Sequence, residues 1–132
     1  MKPKDEPAIS RSGEDYLESI LSLSEKSNHV RVTDLATEMG ISKPSVHKAV
    51  QTLKSQGLVE HERYGSISLT TEGESVAKSV LMRHIVLKDF LMHIGVTEQT
   101  ADEEACLIEH SISVDTIGKL RLFLDGQRET KK

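Results

Sequence analysis

A mainly α-helical fold with one small β-hairpin follows from three features of this sequence. Apolar residues recur at helical spacing, as in Tyr16, Leu17, Ile20, Leu21 and Leu23. Two short alternating stretches, 58–62 and 66–69, flank a Tyr64-Gly65 turn signal. Gly40, Gly57 and Gly95 fall just past the ends of periodic segments, where a helix stops.

Taken in order, residues 1–12 carry Pro3, Pro7 and mixed charge and read as a loose tail. The first helix is expected from near Gly13 to Ser27-Asn28. The second fits Val32 to Met39, with Thr33 as its N-cap and Leu35, Ala36 and Met39 as apolar positions. Gly40 then permits the sharp turn between helices. The third helix starts at Ser42, which caps it, and Pro44 falls in the first turn, where a missing N–H costs little. Val46, Val50 and Leu53 form its core face, and Gly57 ends it. After the hairpin, Thr71 is expected to cap a long helix reaching about Ile94. Two further helices follow, roughly Glu98 to His110 and Val114 to Leu124. The organisation expected is a tail (1–12), a first domain (13–72), a helical lobe (73–125) and a charged, frayed tail (126–132).

Composition narrows the function. The 132 residues suit one domain or two small lobes, with 36% apolar residues to fill a core. Aromatics are only 3% and Trp is absent, which argues against recognition of single strands by base stacking. A single cysteine, Cys106, rules out an internal disulfide. No apolar run approaches the ~20 residues of a membrane span. Met1 to Ser10 lacks the apolar core of a signal peptide. A cytoplasmic location with no membrane partner is the expectation. The net charge of −4 opposes DNA binding unless the charges are segregated.

They are segregated. Helix, Gly-containing turn, helix and hairpin make the winged helix-turn-helix plan. Ala36 must be small where two helices cross, Gly40 must turn the chain, and Ile41, Val46 and Val50 must lock the second helix of the motif. No acidic residue lies between Ser42 and Lys54. The exposed face of that helix offers Ser45, His47 and Gln51 to base edges, and Lys43, Lys48 and Lys54 to phosphates. Ser42 lies at its start. Arg31 ahead of the motif and Arg63 at the hairpin tip, suited to a phosphate or the minor groove, complete the candidate DNA-binding set.

A second constellation lies downstream. Cys106, Glu109 and His110 are spaced i, i+3, i+4, which places a thiolate, a carboxylate and an imidazole on one helical face. Asp102 lies one turn earlier. Asp15 and Glu18 share a face of the first helix, and His84 lies on the long helix. This mixture of soft, borderline and hard donors suits iron, manganese or another first-row metal. Each residue alone has a plainer reading: Cys106 as a small core residue, Asp15 and Glu18 as first-turn carboxylates, His84 as a buried hydrogen-bonding group. The set carries the case. His47, His61 and His93 are read as non-ligands.

At these residues the chain resembles the diphtheria-toxin-repressor and manganese-transport-regulator family of metal-dependent repressors. The carrying motifs are Glu14-Asp15-Tyr16-Leu17-Glu18, the winged helix, Arg83-His84 and Glu104-Ala-Cys106-Leu-Ile-Glu109-His110-Ser-Ile-Ser113. The resemblance runs to about Leu124 and is to the short form, without an SH3-like domain. It implies a homodimer that binds a palindromic operator when loaded with metal and represses uptake genes. By position, Asp15, Glu18, His84, Glu109 and His110 match ligands of a manganese-type binuclear cluster. Cys106 departs from that type, since the manganese branch has a carboxylate there and the iron branch this cysteine. Lys88 and Asp102 stand where the iron branch's ancillary site has a carboxylate and a histidine, and an ammonium cannot coordinate a metal. The expected cofactor is Fe2+ or Mn2+, one or two per chain.

Two alternatives leave the metal set as surface: a metal-independent winged-helix transcription factor, and a winged-helix protein-interaction module. An enzyme is not expected. The sequence has no HExxH, no nucleophile elbow and no phosphate loop, and no small-molecule substrate is implied.

Overall fold

A computed structural model describes residues 9–62 and 65–130. Among these residues six helices and one two-stranded antiparallel sheet follow in the order α1 (Arg11–Lys26), α2 (Val32–Met39), α3 (Lys43–Ser55), β1 (Val59–His61), β2 (Ile67–Leu69), α4 (Thr71–His93), α5 (Glu98–Ile108) and α6 (Val114–Thr130). The chain divides at Lys78–Ser79 into two compact units.

In the first unit α1 begins two residues before the expected start. Ser10 is the cap, accepting a hydrogen bond from the Gly13 N–H at 2.9 Å, so Arg11 and Ser12 belong to the helix and not to a tail. The rest of the expected tail, residues 1–8, lies outside the described residues. Tyr16, Leu17, Ile20 and Leu21 are buried, as their spacing requires. α2 has only eight residues, fewer than the ~12–15 an isolated helix needs. It persists because Leu35 and Ala36 are buried and both ends are closed. The Asp34 carboxylate, not Thr33, accepts the Arg31 N–H at 2.9 Å. Gly40 takes φ +67° at the other end.

α3 is capped by Ser42, whose hydroxyl accepts from the Ser45 N–H at 3.3 Å. Its Val46, Val50 and Leu53 are buried. Ile41, expected to help lock this helix, is 37% exposed; the locking falls to the three residues on α3 itself. α1 packs on α2, α3 and β2, and α3 packs on β1.

In the hairpin, Val59 pairs with Leu69 and His61 with Ile67. Ile67 also donates its N–H to the Val30 carbonyl at 2.7 Å, a one-residue bridge that ties the segment before α2 to the wing. The start of α4 is stitched to the hairpin. Thr70, one residue before the expected Thr71, accepts the Gly73 N–H at 3.0 Å and donates its hydroxyl to the Gly57 carbonyl at 2.7 Å. Gly73 abuts the Leu58 carbonyl so closely that a Cβ would overlap it. Backbone cannot yield as a side chain can. Gly73→Ala is therefore expected to destabilise the first unit by about 1–3 kcal/mol, read as a lower urea midpoint. A melt like that of the parent would contradict the close approach.

The second unit is built from the C-terminal part of α4 with α5 and α6. Val86, Leu87, Ala105, Ile117 and Leu124 form its core, with Phe90, Ile112 and Leu120 packed against it. Gly95 takes φ +103° where α4 ends, as expected of a stop. α5 stops at Ile108, two residues short of expectation, although Glu109 keeps helical dihedrals (φ −56°, ψ −27°). α6 continues past Leu124 to Thr130, so most of the segment expected to fray is helical.

Candidate metal centre and nucleic-acid interface

The candidate metal centre within the second unit takes one side chain from α4 and the rest from α5 and its end. Asp102, Cys106 and Glu109 are spaced i, i+4, i+7, so α5 presents them on one face. His84 on α4 meets that face. Its Nδ1 lies 2.9 Å from Glu109 Oε2 and 3.6 Å from Cys106 Sγ, while its Nε2 lies 2.8 Å from Asp102 Oδ1. Glu109 is 1% exposed, and its Oε1 lies 3.5 Å from His110 Nε2. Arg83 donates to the Glu109 backbone carbonyl at 2.8 Å. That carbonyl follows the last turn of α5 and would lack a helical partner. Arg83 thus fixes the backbone from which Glu109 and His110 project.

The electrostatics follow from this contact list. A buried carboxylate needs a cation or strong donors. The hydrogen bond to Glu109 is the largest influence on His84 and pushes its pKa up to about 9. Burial opposes the rise and Asp102 adds to it. In turn, Asp102 is held below the usual carboxylate range, first by its hydrogen bond from His84 and then by Lys88. His84 thus lies between two carboxylates, one within hydrogen-bond distance of each ring nitrogen.

One ligand atom from each of His84, Cys106 and Glu109 lies within 4.8 Å of the others. An imidazole, a thiolate and a carboxylate converging at that separation fit a first-row divalent metal. Asp15 and Glu18 lie on α1, in the first unit.

Sequence reading left Asp102 out of the ligand set and gave Arg83 no role. The i, i+4, i+7 spacing signals that Asp102 shares the face of Cys106 and Glu109. Nothing in the sequence pairs it with His84, 18 residues away.

On the first unit, Arg31, Ser42, Lys43, Ser45, His47, Lys48, Gln51 and Lys54 are all exposed. The Ser42 hydroxyl also donates to Ser45 Oγ at 2.9 Å, so both hydroxyls are already engaged at the start of α3. His47 faces His61 of β1 with ring centroids 6.3 Å apart, which sets the hairpin beside the exposed face of α3. Arg63 lies outside the described residues. The first turn of α3 carries no acidic residue, so its positive end and its lysines present one sign of charge.

A winged helix with a segregated basic face, joined to a helical unit bearing a transition-metal donor set, defines a metal-responsive DNA-binding protein. The chain belongs to the iron-dependent repressor family: residues 8–67 match its N-terminal DNA-binding domain and residues 70–130 its metal-binding and dimerisation domain. It is a metal-dependent transcriptional regulator, not an enzyme.

An uncharacterised helix-turn-helix-type regulator of Methanocaldococcus jannaschii is 37% identical over 119 residues, spanning 89% of this chain and 95% of that protein. The regulator MntR of Bacillus subtilis is 35% identical over 124 residues, spanning 92% and 87%. The structure of the manganese regulator SloR superposes with a TM-score of 0.76 at 32% identity over 86% of this chain. The match covers 53% of SloR, so this chain spans about half its length. Among the described residues, no helix is long and apolar enough to cross a membrane.

Proposed function

We propose that this regulator acts in the cytoplasm as a homodimer, takes Fe2+ or Mn2+, binds a palindromic operator when loaded, and represses genes of metal uptake. The observation that carries this reading is the convergence of a His84 ring nitrogen, Cys106 Sγ and a Glu109 carboxylate oxygen within 4.8 Å of one another, with Nδ1 facing both other residues. His110 joins them through its contact with Glu109. Asp15 and Glu18 of α1 complete the proposed ligand set, on donor chemistry and on position in the family.

Asp15, Glu18 and Glu109 are all carboxylates, and a divalent cation would supply the positive charge they would need to serve one centre. α1 packs on α2 and α3, so ligation through its carboxylates biases the DNA-reading helices toward one arrangement. Two such helices in a dimer must match half-sites about one DNA turn, or a multiple, apart. Support for a second copy comes from large apolar side chains left exposed on the second unit, including Ile85, Leu107, Val114, Leu122 and Phe123. Gathered into one patch, such side chains would suit burial against a second copy.

The choice of ion turns on Cys106. Its soft sulfur favours iron, while the carboxylate-rich remainder favours manganese, the metal named for SloR. An anaerobic calorimetric titration with each ion tests the reading. Saturable binding at a fixed number of sites per chain is expected, and the tighter ion identifies the branch. No binding of either would remove the metal centre and leave a regulator of another signal.

A further inference from the structure

The two nitrogens of His84 point to different partners. Nδ1 faces Glu109 and Cys106, and Nε2 faces Asp102. Both ring nitrogens face a carboxylate, but only Nδ1 also faces the Cys106 sulfur, so a metal shared with Cys106 and Glu109 would take Nδ1 and leave the Nε2 proton donated to Asp102. Asp102 is itself held. Its Oδ1 lies 3.7 Å from Lys88 Nζ, and the same ammonium lies 3.5 Å from Glu98 Oε1. Lys88 thus sits as a fixed positive charge between two carboxylates, on the far side of the imidazole from Glu109. An ion held at Nδ1 lies beyond the reach of Asp102, because the ring separates them.

We propose that Asp102 is a positioning residue that fixes the rotation and tautomer of His84, making Nδ1 the metal-binding atom, with Lys88 standing in for a cation on the other side. The inference rests on His84 being a ligand, as proposed above. Carboxylates that orient a ligating histidine are commonly worth about 10- to 100-fold in metal affinity. Here the carboxylate comes from α5 and the histidine from α4, so the pair also fixes how the two donor-bearing helices meet.

The test uses the full chain loaded with zinc, a diamagnetic probe, and reads the histidine ring nitrogens by 15N NMR, with manganese affinity and stoichiometry measured by calorimetry. The parent should show His84 bound through Nδ1 and protonated at Nε2. Asp102→Ala should lose that single tautomer and bind manganese about 10- to 100-fold more weakly, with the number of sites unchanged. Asp102→Asn should restore the Nδ1 signature, because its amide oxygen accepts the same hydrogen bond.

Three results would overturn the proposal while leaving His84 a ligand: ligation through Nε2 in the parent, a lost metal equivalent in Asp102→Ala, or an alanine variant identical to the parent. A parent in which His84 shows no metal-bound nitrogen would overturn the ligand assignment itself. Asp102 is exposed, so neither variant should disturb folding.

Discussion

His110→Ala abolishes the metal dependence of DNA binding while leaving a folded protein. The His110 side chain is 4% exposed and lies 3.5 Å from the buried Glu109 carboxylate, so it can bring a second imidazole to the centre without moving far. Alanine removes that donor and leaves the wing, α3 and its lysines untouched. Coupling between two sites is ordinarily about 1–3 kcal/mol, so metal should tighten DNA binding by the parent about 5- to 150-fold. In the variant the ratio of affinities with and without manganese should fall to one. Fluorescence anisotropy on a labelled duplex measures the ratio, and circular dichroism checks the fold. By reciprocity, DNA should tighten manganese binding by the parent and do nothing for the variant. A retained metal response would place the centre elsewhere.

The second large effect is electrostatic. Replacing Lys43, Lys48 and Lys54 together with alanine removes three exposed cations from α3 without touching its buried face. If each meets a phosphate, a dimer loses six contacts. The slope of log affinity against log salt should then fall by roughly five, at about 0.9 per contact. The loss should be nearly uniform across DNA sequences, because phosphates carry no base information. Metal binding should be unchanged. An unaltered slope would mean that this helix face does not meet DNA, and would favour a protein-interaction role for the wing.

These two experiments address the two halves of the molecule, which differ in how far the sequence reveals them. The winged helix is legible because its signals are local. The spacing of Tyr16, Leu17, Ile20 and Leu21, the Ser42 cap and the positive φ of Gly40 each depend on a few neighbouring residues. The discrepancies are of the opposite kind. Thr70 and not Thr71 caps α4 because its hydroxyl also reaches Gly57, 13 residues earlier. The Val30–Ile67 bridge is one residue long and leaves no alternation to detect. α6 outruns its apolar pattern because the residues after Leu124 need only helical propensity to extend a helix already anchored at Ile117 and Leu124.

The metal centre shows the same division. Cys106, Glu109 and His110 are neighbours in sequence and announce themselves as a set. His84 enters the set only as a histidine on the long helix, with the family resemblance at Arg83-His84 to support it. Its pairing with Asp102 is a property of how α4 and α5 pack, and no spacing within either helix encodes it. The donor chemistry is written locally, whereas the orientation of the donors is written in the core formed by Val86, Leu87, Ala105 and Ile117.

Metal-dependent selection of DNA tests the central claim most directly. Purified protein is incubated under argon with sheared genomic DNA, in manganous ion, in ferrous ion, or in chelator, and the retained fragments are sequenced. The account predicts that one palindromic sequence is enriched with at least one of the two ions and is lost with chelator. Equal enrichment in all three conditions would contradict it, leaving a winged-helix regulator whose His84, Cys106, Glu109 and His110 cluster serves another purpose.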